Sequence, residues 1–207
     1  MKYIREVCVG SYEEAKKAAL LGADRIELCD NLLQGGTTPS FGTIDFASRL
    51  AKIDIYVIIR PRGGNFVYSD TEFEIMKKDI EVCKTLGVKG VVLGILTEDN
   101  QIDAKRTKYL VDLAHPLNVT FHMAFDEIKD KKGAIDILHQ IGVSRILTKG
   151  GQGSALKNLS TIRELINYAG NRIVIMPGGG VTIDNIEMVA KETGAIELHG
   201  TKLVGKL

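Results

Sequence analysis

The sequence predicts a parallel α/β barrel of the TIM type, (β/α)8, that forms one domain over residues 1–207. Apolar runs of strand length alternate with longer stretches of helical periodicity along the whole chain, which is the pattern of repeated βα units. The length of 207 residues also lies within the range of one such barrel, although about 250 is more usual. No linker or change in composition indicates a second domain.

Eight strands are predicted from short apolar runs bounded by turn residues. They cover Ile4–Val9, Arg25–Cys29, Ile55–Arg60, Gly90–Leu96, Val119–Ala124, Arg145–Thr148, Arg172–Met176 and Ile196–His199. Several of these strands end in polar residues. Because the functional groups of such barrels lie at the C-terminal ends of the strands, we expect these polar residues to meet at one mouth.

Seven amphipathic helices are predicted between the strands, since apolar residues there recur at the spacing of one helix face. They cover Tyr12–Leu21, Thr43–Ala51, Thr71–Leu86, Asp103–His115, Lys131–Ile141, Asn158–Ala169 and Thr182–Lys191. After His199 only eight residues remain, so the eighth helix is expected to be short or missing. A second copy of the chain could cover the face of the last strand that this leaves open.

Charge and composition argue against nucleic-acid and membrane partners. The 27 basic and 26 acidic residues give a net charge of +1 and are mixed along the chain. No apolar run approaches the roughly 18 residues of a membrane span, and charges stand where a signal peptide would be apolar. We therefore expect a cytoplasmic protein. The cysteines Cys8, Cys29 and Cys83 are odd in number and scattered, which indicates reduced thiols.

The first two strands share the pattern Glu-x-Cys, as Glu6 with Cys8 and Glu27 with Cys29. Residues two apart face the same side of a strand, and adjacent strands lie about 4.8 Å apart. In matching register the two carboxylates would lie together, and so would the two sulfurs. Two thiolates suit a soft metal such as Cu(I) or zinc, although buried cysteines are also ordinary core residues. A buried glutamate is harder to assign to a core, because it needs a partner.

Two arginines follow the third strand. Arg60 and Arg62 flank a proline before a glycine turn, and their guanidinium groups suit carboxylates. Those carboxylates could belong to an anionic ligand, or to Glu6 or Glu27 in a structural ion pair. Both alternatives remain open on the sequence.

Candidate groups for proton transfer also lie near strand ends. His122 and Asp126 flank the end of the fifth strand, within reach of acid–base chemistry or metal ligation, and Glu6 and Glu27 could act with them. A structural role for His122 is equally compatible with the sequence. The eighth strand adds two further polar residues, Glu197 and His199.

Glycine-rich turns follow the sixth and seventh strands. Exposed backbone N–H groups in these loops, near a helix start, form a frequent phosphate site in barrels, although tight turns also require glycine. The candidate ligand-binding residues here are Thr148, Gly178, Gly179 and Gly180. The chain carries neither a Walker loop nor a dinucleotide-binding fingerprint.

Taken together and in this order, the motifs resemble the CutC family of copper homeostasis proteins. The matching segments are Glu6–Val9, Gly22–Cys29, Gly35–Ser40, Ile59–Gly64, Phe121–Asp126, Arg145–Thr148 and Gly178–Val181. The resemblance implies a barrel that binds or carries copper in the cytoplasm, as a dimer or tetramer, with Cys8 and Cys29 as the Cu(I) ligands. Met123 departs from the family pattern, which usually has arginine after the histidine.

Two functions from different classes therefore compete. The first is a copper-binding protein without turnover, which accounts for Cys8 and Cys29. The second is an enzyme acting on a small anionic substrate, phosphorylated ones included. In that case the arginines and glycine loops would hold the substrate, and the proton-transfer residues would be Glu6, Glu27, His122 and Asp126.

Overall fold

The structure, a computed structural model, describes residues 2–207 and confirms the predicted parallel barrel. The eight strands are β1 (Ile4–Val9), β2 (Arg25–Leu28), β3 (Asp54–Ile58), β4 (Gly90–Leu93), β5 (Asn118–Phe121), β6 (Arg145–Thr148), β7 (Val174–Pro177) and β8 (Glu197–Gly200). They form one sheet in the order β7-β6-β5-β4-β3-β2-β1-β8, with parallel neighbours throughout. The two end strands, β7 and β8, contact each other and nearly close the barrel.

Seven helices surround the strands, as predicted. They are α1 (Tyr12–Leu20), α2 (Phe41–Ser48), α3 (Asp70–Thr85), α4 (Ala104–Ala114), α5 (Lys131–Gln140), α6 (Leu159–Ala169) and α7 (Ile186–Thr193). Within the described chain no helix follows β8, as expected. Across residues 2–207, none of the helices has both the length and the apolar character needed to cross a membrane.

Two element boundaries differ from the prediction in ways that matter for the site. Strand β5 ends at Phe121, because the His122 side chain accepts a hydrogen bond from the Ala124 N–H and a short 3₁₀ helix begins there. Helix α7 begins at Ile186, not at Thr182, because the Asn185 side chain closes a turn onto the Thr182 N–H. The glycine loop after β7 is therefore separated from the helix that was expected to begin beside it.

The two faces of the sheet differ in chemistry. Side chains that point outward toward the helices are apolar and form the main core, with Val7, Ile26, Val57, Leu93 and Phe121 among them. Side chains that point into the barrel include arginine, glutamate and histidine residues that are almost completely buried. Since successive residues of a strand point to opposite faces, the alternation places every second residue of the polar strands inside the barrel. The apolar outer face packs against the helices and stabilises the fold, and the inner face contains the polar side chains of the candidate site.

Candidate functional site

The pairing of β1 with β2 decides how the two Glu-x-Cys patterns meet. Glu6 lies opposite Arg25, and Cys8 lies opposite Glu27. The condition of matching register, under which the two carboxylates would lie together, is therefore not met, because the strands of a barrel are staggered by its shear. The two sulfurs still meet diagonally, with Cys8 Sγ 3.7 Å from Cys29 Sγ. The two carboxylates, however, have different partners.

The lower part of the barrel interior is a layer of four buried charged residues around one tyrosine. We call this layer the charged floor; it consists of Glu6, Arg25, Tyr56, Arg145 and Glu197. Arg25 donates hydrogen bonds to both Glu6 and Glu197. Arg145 donates to Glu197 at 3.0 Å. The Tyr56 ring lies between the two guanidinium groups, 4.9 Å from that of Arg25 and 5.0 Å from that of Arg145. Each charge of the floor thus has an opposite charge beside it.

His199 links the charged floor to the layer above. Its Nδ1 lies 2.9 Å from Glu6 Oε1, and its Nε2 lies 3.5 Å from Glu27 Oε2. Burial favours the neutral imidazole, but hydrogen bonding to Cys8 and Glu6 and the charge of Glu27 raise the pKa of His199 well above its usual value. This shift favours the imidazolium form of His199, whose ring lies between two carboxylates.

The two bridged carboxylates respond differently to burial. Burial raises the pKa of Glu6, but the hydrogen bond from His199 and the charge of Arg25 outweigh it and lower that pKa to about 2. For Glu27 burial dominates, so its pKa is raised above the ordinary value despite the nearby charge of His199. The charged floor thus stabilises the ionised form of Glu6, whereas Glu27 is the more easily protonated of the two carboxylates.

The thiols of Cys8 and Cys29 lie one layer above the floor, and both are buried. The hydrogen bond with Cys29, together with burial, raises the pKa of Cys8 well above its usual value. The hydrogen bond with Cys8 lowers the pKa of Cys29, but burial and the charge of Glu27 outweigh it and raise that pKa to about 11. Both thiols are protonated at neutral pH. A metal that binds them must displace their protons.

Ligand atoms of three residues in this layer converge. One atom each from Cys8, Glu27 and His199 lie within 4.8 Å of one another, and all three side chains are buried. With Cys29 Sγ 3.7 Å from Cys8 Sγ, the set offers two sulfurs, a carboxylate oxygen and, once His199 has released a proton, an imidazole nitrogen. Sulfur and imidazole ligands suit Cu(I) and zinc, and the two sulfurs are the metal ligands that the sequence predicts.

A cavity of about 120 Å³ opens above the thiols and forms the barrel mouth. Residues that line it include Cys8, Glu27, Cys29, Arg60, His122 and His199. Met123 also lines this cavity, so its thioether occupies the position where the family pattern usually has arginine. The structure therefore brings five of the twelve candidate site residues together around this cavity: Cys8, Glu27, Cys29, Arg60 and His122.

The two arginines after β3 have different surroundings. Arg60 is buried and donates to the backbone carbonyls of Gln34, Gly36 and Gly64. Arg62 points away from the mouth and pairs with Glu72 at 2.6 Å. Neither arginine forms an ion pair with Glu6 or Glu27, so that alternative is wrong. The floor arginines supply those partners instead, and Arg60 keeps an unpaired charge at the mouth.

His122 and Asp126 also have separate positions. His122 lines the mouth, where burial and the nearby charge of Arg60 lower its pKa to about 3, so its ring is neutral. Asp126 accepts hydrogen bonds from the Thr148 hydroxyl and the Lys149 N–H. These bonds hold the end of β6 in place. Burial raises the pKa of Asp126, although the bond from Thr148 opposes this shift.

The glycine loop after β7 borders a second cavity of about 400 Å³, shared with His199 and Lys202. The Gly178 N–H donates to the Thr148 carbonyl at 3.0 Å and is not free for a ligand. A Cβ on Gly178 would lie 2.6 Å from Leu147 Cδ1, so close packing explains this glycine. The phosphate-binding role of Thr148 and of Gly178, Gly179 and Gly180 stays a prediction.

Sequence reasoning missed three members of the charged floor. Arg25 and Arg145 each begin a strand, where an arginine usually faces solvent, and Tyr56 looked like an ordinary core residue. The position of Arg25 inside the barrel could have been inferred from Glu27, which lies two residues further along the same strand. That spacing places both side chains on the same face of the sheet. No comparable local signal marks Arg145, whose partner is 52 residues away.

The geometry defines a class of protein: a TIM barrel with a buried thiol, carboxylate and imidazole site under its mouth. The chain belongs to the CutC family, whose model matches residues 3–204. The copper homeostasis protein cutC homolog of Mus musculus is 48% identical over 197 residues, which are 95% of this chain and 72% of the mouse protein. The family protein CutC of Enterococcus faecalis is 45% identical, and the alignment covers 97% of this chain and 100% of the Enterococcus protein.

A solved structure of CutC from Streptococcus agalactiae superimposes with a TM-score of 0.92 at 42% sequence identity. The match covers 97% of this chain and 99% of that chain. The family and the fold inferred from the sequence motifs are thereby confirmed.

Proposed function

We propose that this chain is a cytoplasmic copper homeostasis protein that binds Cu(I) through the thiolates of Cys8 and Cys29. The observation that carries the proposal is the 3.7 Å separation of the two sulfurs beneath the mouth of the barrel. The name of the mouse relative, a copper homeostasis protein, points the same way. Soft thiolate ligands favour Cu(I) among the common biological metals.

The spacing of the sulfurs is compatible with one metal ion bound between them. At a metal–sulfur distance of about 2.3 Å, as in zinc thiolates, sulfurs that are 3.7 Å apart span an angle of roughly 110° at the metal. Such an angle leaves room for a third ligand, and the Glu27 carboxylate lies beside Cys8. A Cu(I) ion with two thiolates carries one negative charge, which the imidazolium of His199 can offset.

The proposal is tested by anaerobic titration of Cu(I) in competition with a strong chelator. We expect the double variant Cys8→Ser with Cys29→Ser to lose tight binding. Cys83→Ser is the matched control, because Cys83 is equally buried but lies in α3, away from the site. Equal affinity of the double variant and wild type would rule out the thiolate site. A parallel titration with Zn²⁺ identifies the metal, because tighter zinc binding would contradict the assignment to copper.

An enzyme acting on a small anionic substrate is the second candidate function. It is favoured by one observation: the unpaired guanidinium of Arg60 shares a cavity with Glu27 and His122. Glu6 and Asp126 fit this alternative less well, because their carboxylates are already engaged by Arg25 and by Thr148. Crystals soaked in phosphate or sugar phosphates test it. A molecule bound at Arg60 or at the Gly178 loop supports the alternative, and an empty mouth opposes it.

We also expect a homo-oligomer, a dimer or a tetramer, as the family resemblance implies. Large apolar side chains on α1 and α2 are exposed and could lie in such an interface, among them Leu20, Phe41 and Phe46. Sedimentation velocity tests this expectation, and a purely monomeric species at micromolar concentration would contradict it.

A further inference from the structure

Two buried polar atoms at the mouth have no hydrogen-bond partner among residues 2–207: Arg60 Nε and His122 Nε2. Their side chains are only 4% and 5% exposed, so solvent does not satisfy them. A buried polar atom without a partner carries a free-energy penalty of about 1–3 kcal/mol. Both side chains line the same cavity of about 120 Å³. The pair therefore indicates a missing ligand group.

Both atoms are hydrogen-bond donors. His122 Nδ1 accepts a hydrogen bond from the Ala124 N–H at 3.2 Å, so Nδ1 carries no proton. The proton of this neutral ring is therefore on Nε2. Arg60 Nε always carries a proton, because the guanidinium does not titrate in proteins. Because both residues line one small cavity, a ligand there that accepts from both N–H groups would give each of them the partner it lacks.

The charge at the mouth selects an anion. The other two nitrogens of the Arg60 guanidinium donate to backbone carbonyls, which leave its positive charge uncompensated. The carboxylates of the barrel have other partners, since Glu6 and Glu197 pair with Arg25, and Glu27 faces His199. A buried guanidinium without a carboxylate is costly, and an anionic ligand would remove this cost.

The surrounding residues hold both donors in place. The Phe66 ring packs against both side chains, 5.1 Å from the Arg60 guanidinium carbon and 4.9 Å from the His122 ring. Gly94 makes room for the imidazole, because a Cβ there would lie 2.6 Å from His122 Cε1. The two donors are therefore fixed before any ligand arrives, which lowers the entropy lost on binding.

We propose that the mouth binds the carboxylate group of a small organic acid, with Arg60 Nε–H and His122 Nε2–H donating to its oxygens. The cavity is well below the roughly 300–1,000 Å³ of pockets for drug-sized ligands, at about 120 Å³, so the acid must be short. A carboxylate matches one positive charge and two donors. A phosphate dianion would bring a second negative charge close to Glu27. The side chains of Ile58 and Leu147 line the same cavity and suit a short carbon chain.

This inference names a ligand class for the site of the second candidate function, but it requires neither turnover nor copper. The probes are acetate and pyruvate, titrated into the metal-free protein by calorimetry and by ¹⁵N NMR of the Arg60 Nε–H signal. We expect saturable binding that shifts this signal in wild type. Acetamide, the neutral counterpart of acetate, should bind at least about tenfold more weakly, and phosphate is the rival anion.

Three variants separate the proposed site from general anion binding. His122→Phe removes one donor and should weaken acetate binding about tenfold or more. Gly94→Ala should weaken it by displacing the His122 ring. Arg62→Gln is the matched control, because Arg62 pairs with Glu72, and this variant should bind acetate as wild type does.

The Arg60 Nε–H signal in wild type needs no variant, so the test remains decisive even if a substitution impairs folding. An unchanged signal with acetate and pyruvate would overturn the proposal. Tighter binding of phosphate than of either acid, or equal binding by His122→Phe and wild type, would do the same. The acetate titration uses the metal-free protein and follows the Arg60 Nε–H signal, whereas the copper titration measures metal affinity, so the two proposals fail separately.

Discussion

The charged floor and the mouth of the barrel lie one above the other, yet their polar groups are satisfied differently. In the floor, Arg25 and Arg145 each have a carboxylate partner, and the Tyr56 ring fills the space between them. At the mouth, by contrast, Arg60 and His122 each keep an N–H group without a partner in the described part of the chain. The floor is complete without a ligand, and the mouth is not.

This difference separates structural charge from functional charge. All these residues are buried, so burial alone does not mark a functional site. A missing hydrogen-bond partner at a residue that lines the cavity is more specific, since the hydroxyls of Tyr68 and Thr107 also have no partner but lie outside the cavity lining. The thiols lie between the two regions, next to the bridging imidazolium of His199. They belong with the mouth, because they line its cavity.

The largest effect is expected from breaking the charged floor. Arg25→Met leaves Glu6 and Glu197 buried without their shared partner, and removal of one member of a buried pair costs about 3–5 kcal/mol of stability. Urea unfolding followed by circular dichroism measures the loss. Arg172→Met is the control, since Arg172 pairs with Asp136 at the surface, where such pairs contribute at most about 1 kcal/mol. Equal losses in both variants would show that the floor is not a stabilising layer.

The second prediction concerns the thiols at the mouth. Because the pKa of Cys29 is raised to about 11 and that of Cys8 is raised well above its usual value, both thiols release a proton when metal binds. Since metal and protons compete for the two sulfurs, Cu(I) affinity should increase as the pH rises. The increase is up to about hundredfold per pH unit if both thiols lose a proton on binding. Competition with a chelator of known affinity at pH 6, 7 and 8 measures the slope. A flat profile would mean that the thiols do not bind the metal.

The smallest effect is expected from Gly90→Ala, which probes the packing of the floor without removing a charge. A Cβ on Gly90 would lie well inside van der Waals contact with the Tyr56 ring, so the ring must move from between the two arginines. Overpacking of this kind costs about 1–3 kcal/mol. Gly42→Ala, in α2, meets nothing within 4 Å and should leave stability unchanged or raise it by up to about 1 kcal/mol, because alanine is the better helix former. Similar results for the two variants in thermal unfolding would contradict tight packing at Tyr56.

Much of this arrangement could be predicted from local patterns. The alternation of strands and helices is visible in the sequence, and the structure confirms eight strands, seven helices and the absence of a helix after β8 in the described chain. The period of two along a strand also places Cys8 on the same face as Glu6. The sequence motifs alone were sufficient to identify the family.

The partners of these residues could not be predicted, because they depend on the stagger between strands and on distant loops. The stagger of β1 against β2 puts Glu6 opposite Arg25 instead of Glu27. A similar limit applies to the two arginines after β3. They are only two residues apart, yet Arg60 points into the barrel and Arg62 pairs with Glu72 at the start of α3. No local pattern distinguishes them.

The sequence by itself determined the barrel, the family and the inventory of polar groups inside it, because each depends on periodicity and residue type within short segments. The tertiary structure alone decided which of these groups are satisfied. Closing the barrel brings together strands that are far apart in sequence, so that Arg145 reaches Glu197, and His199 reaches Glu6. It leaves Arg60 and His122 facing a cavity with their donors free. Whether a buried charge is structural or available to a ligand is therefore settled by the packing of the whole barrel.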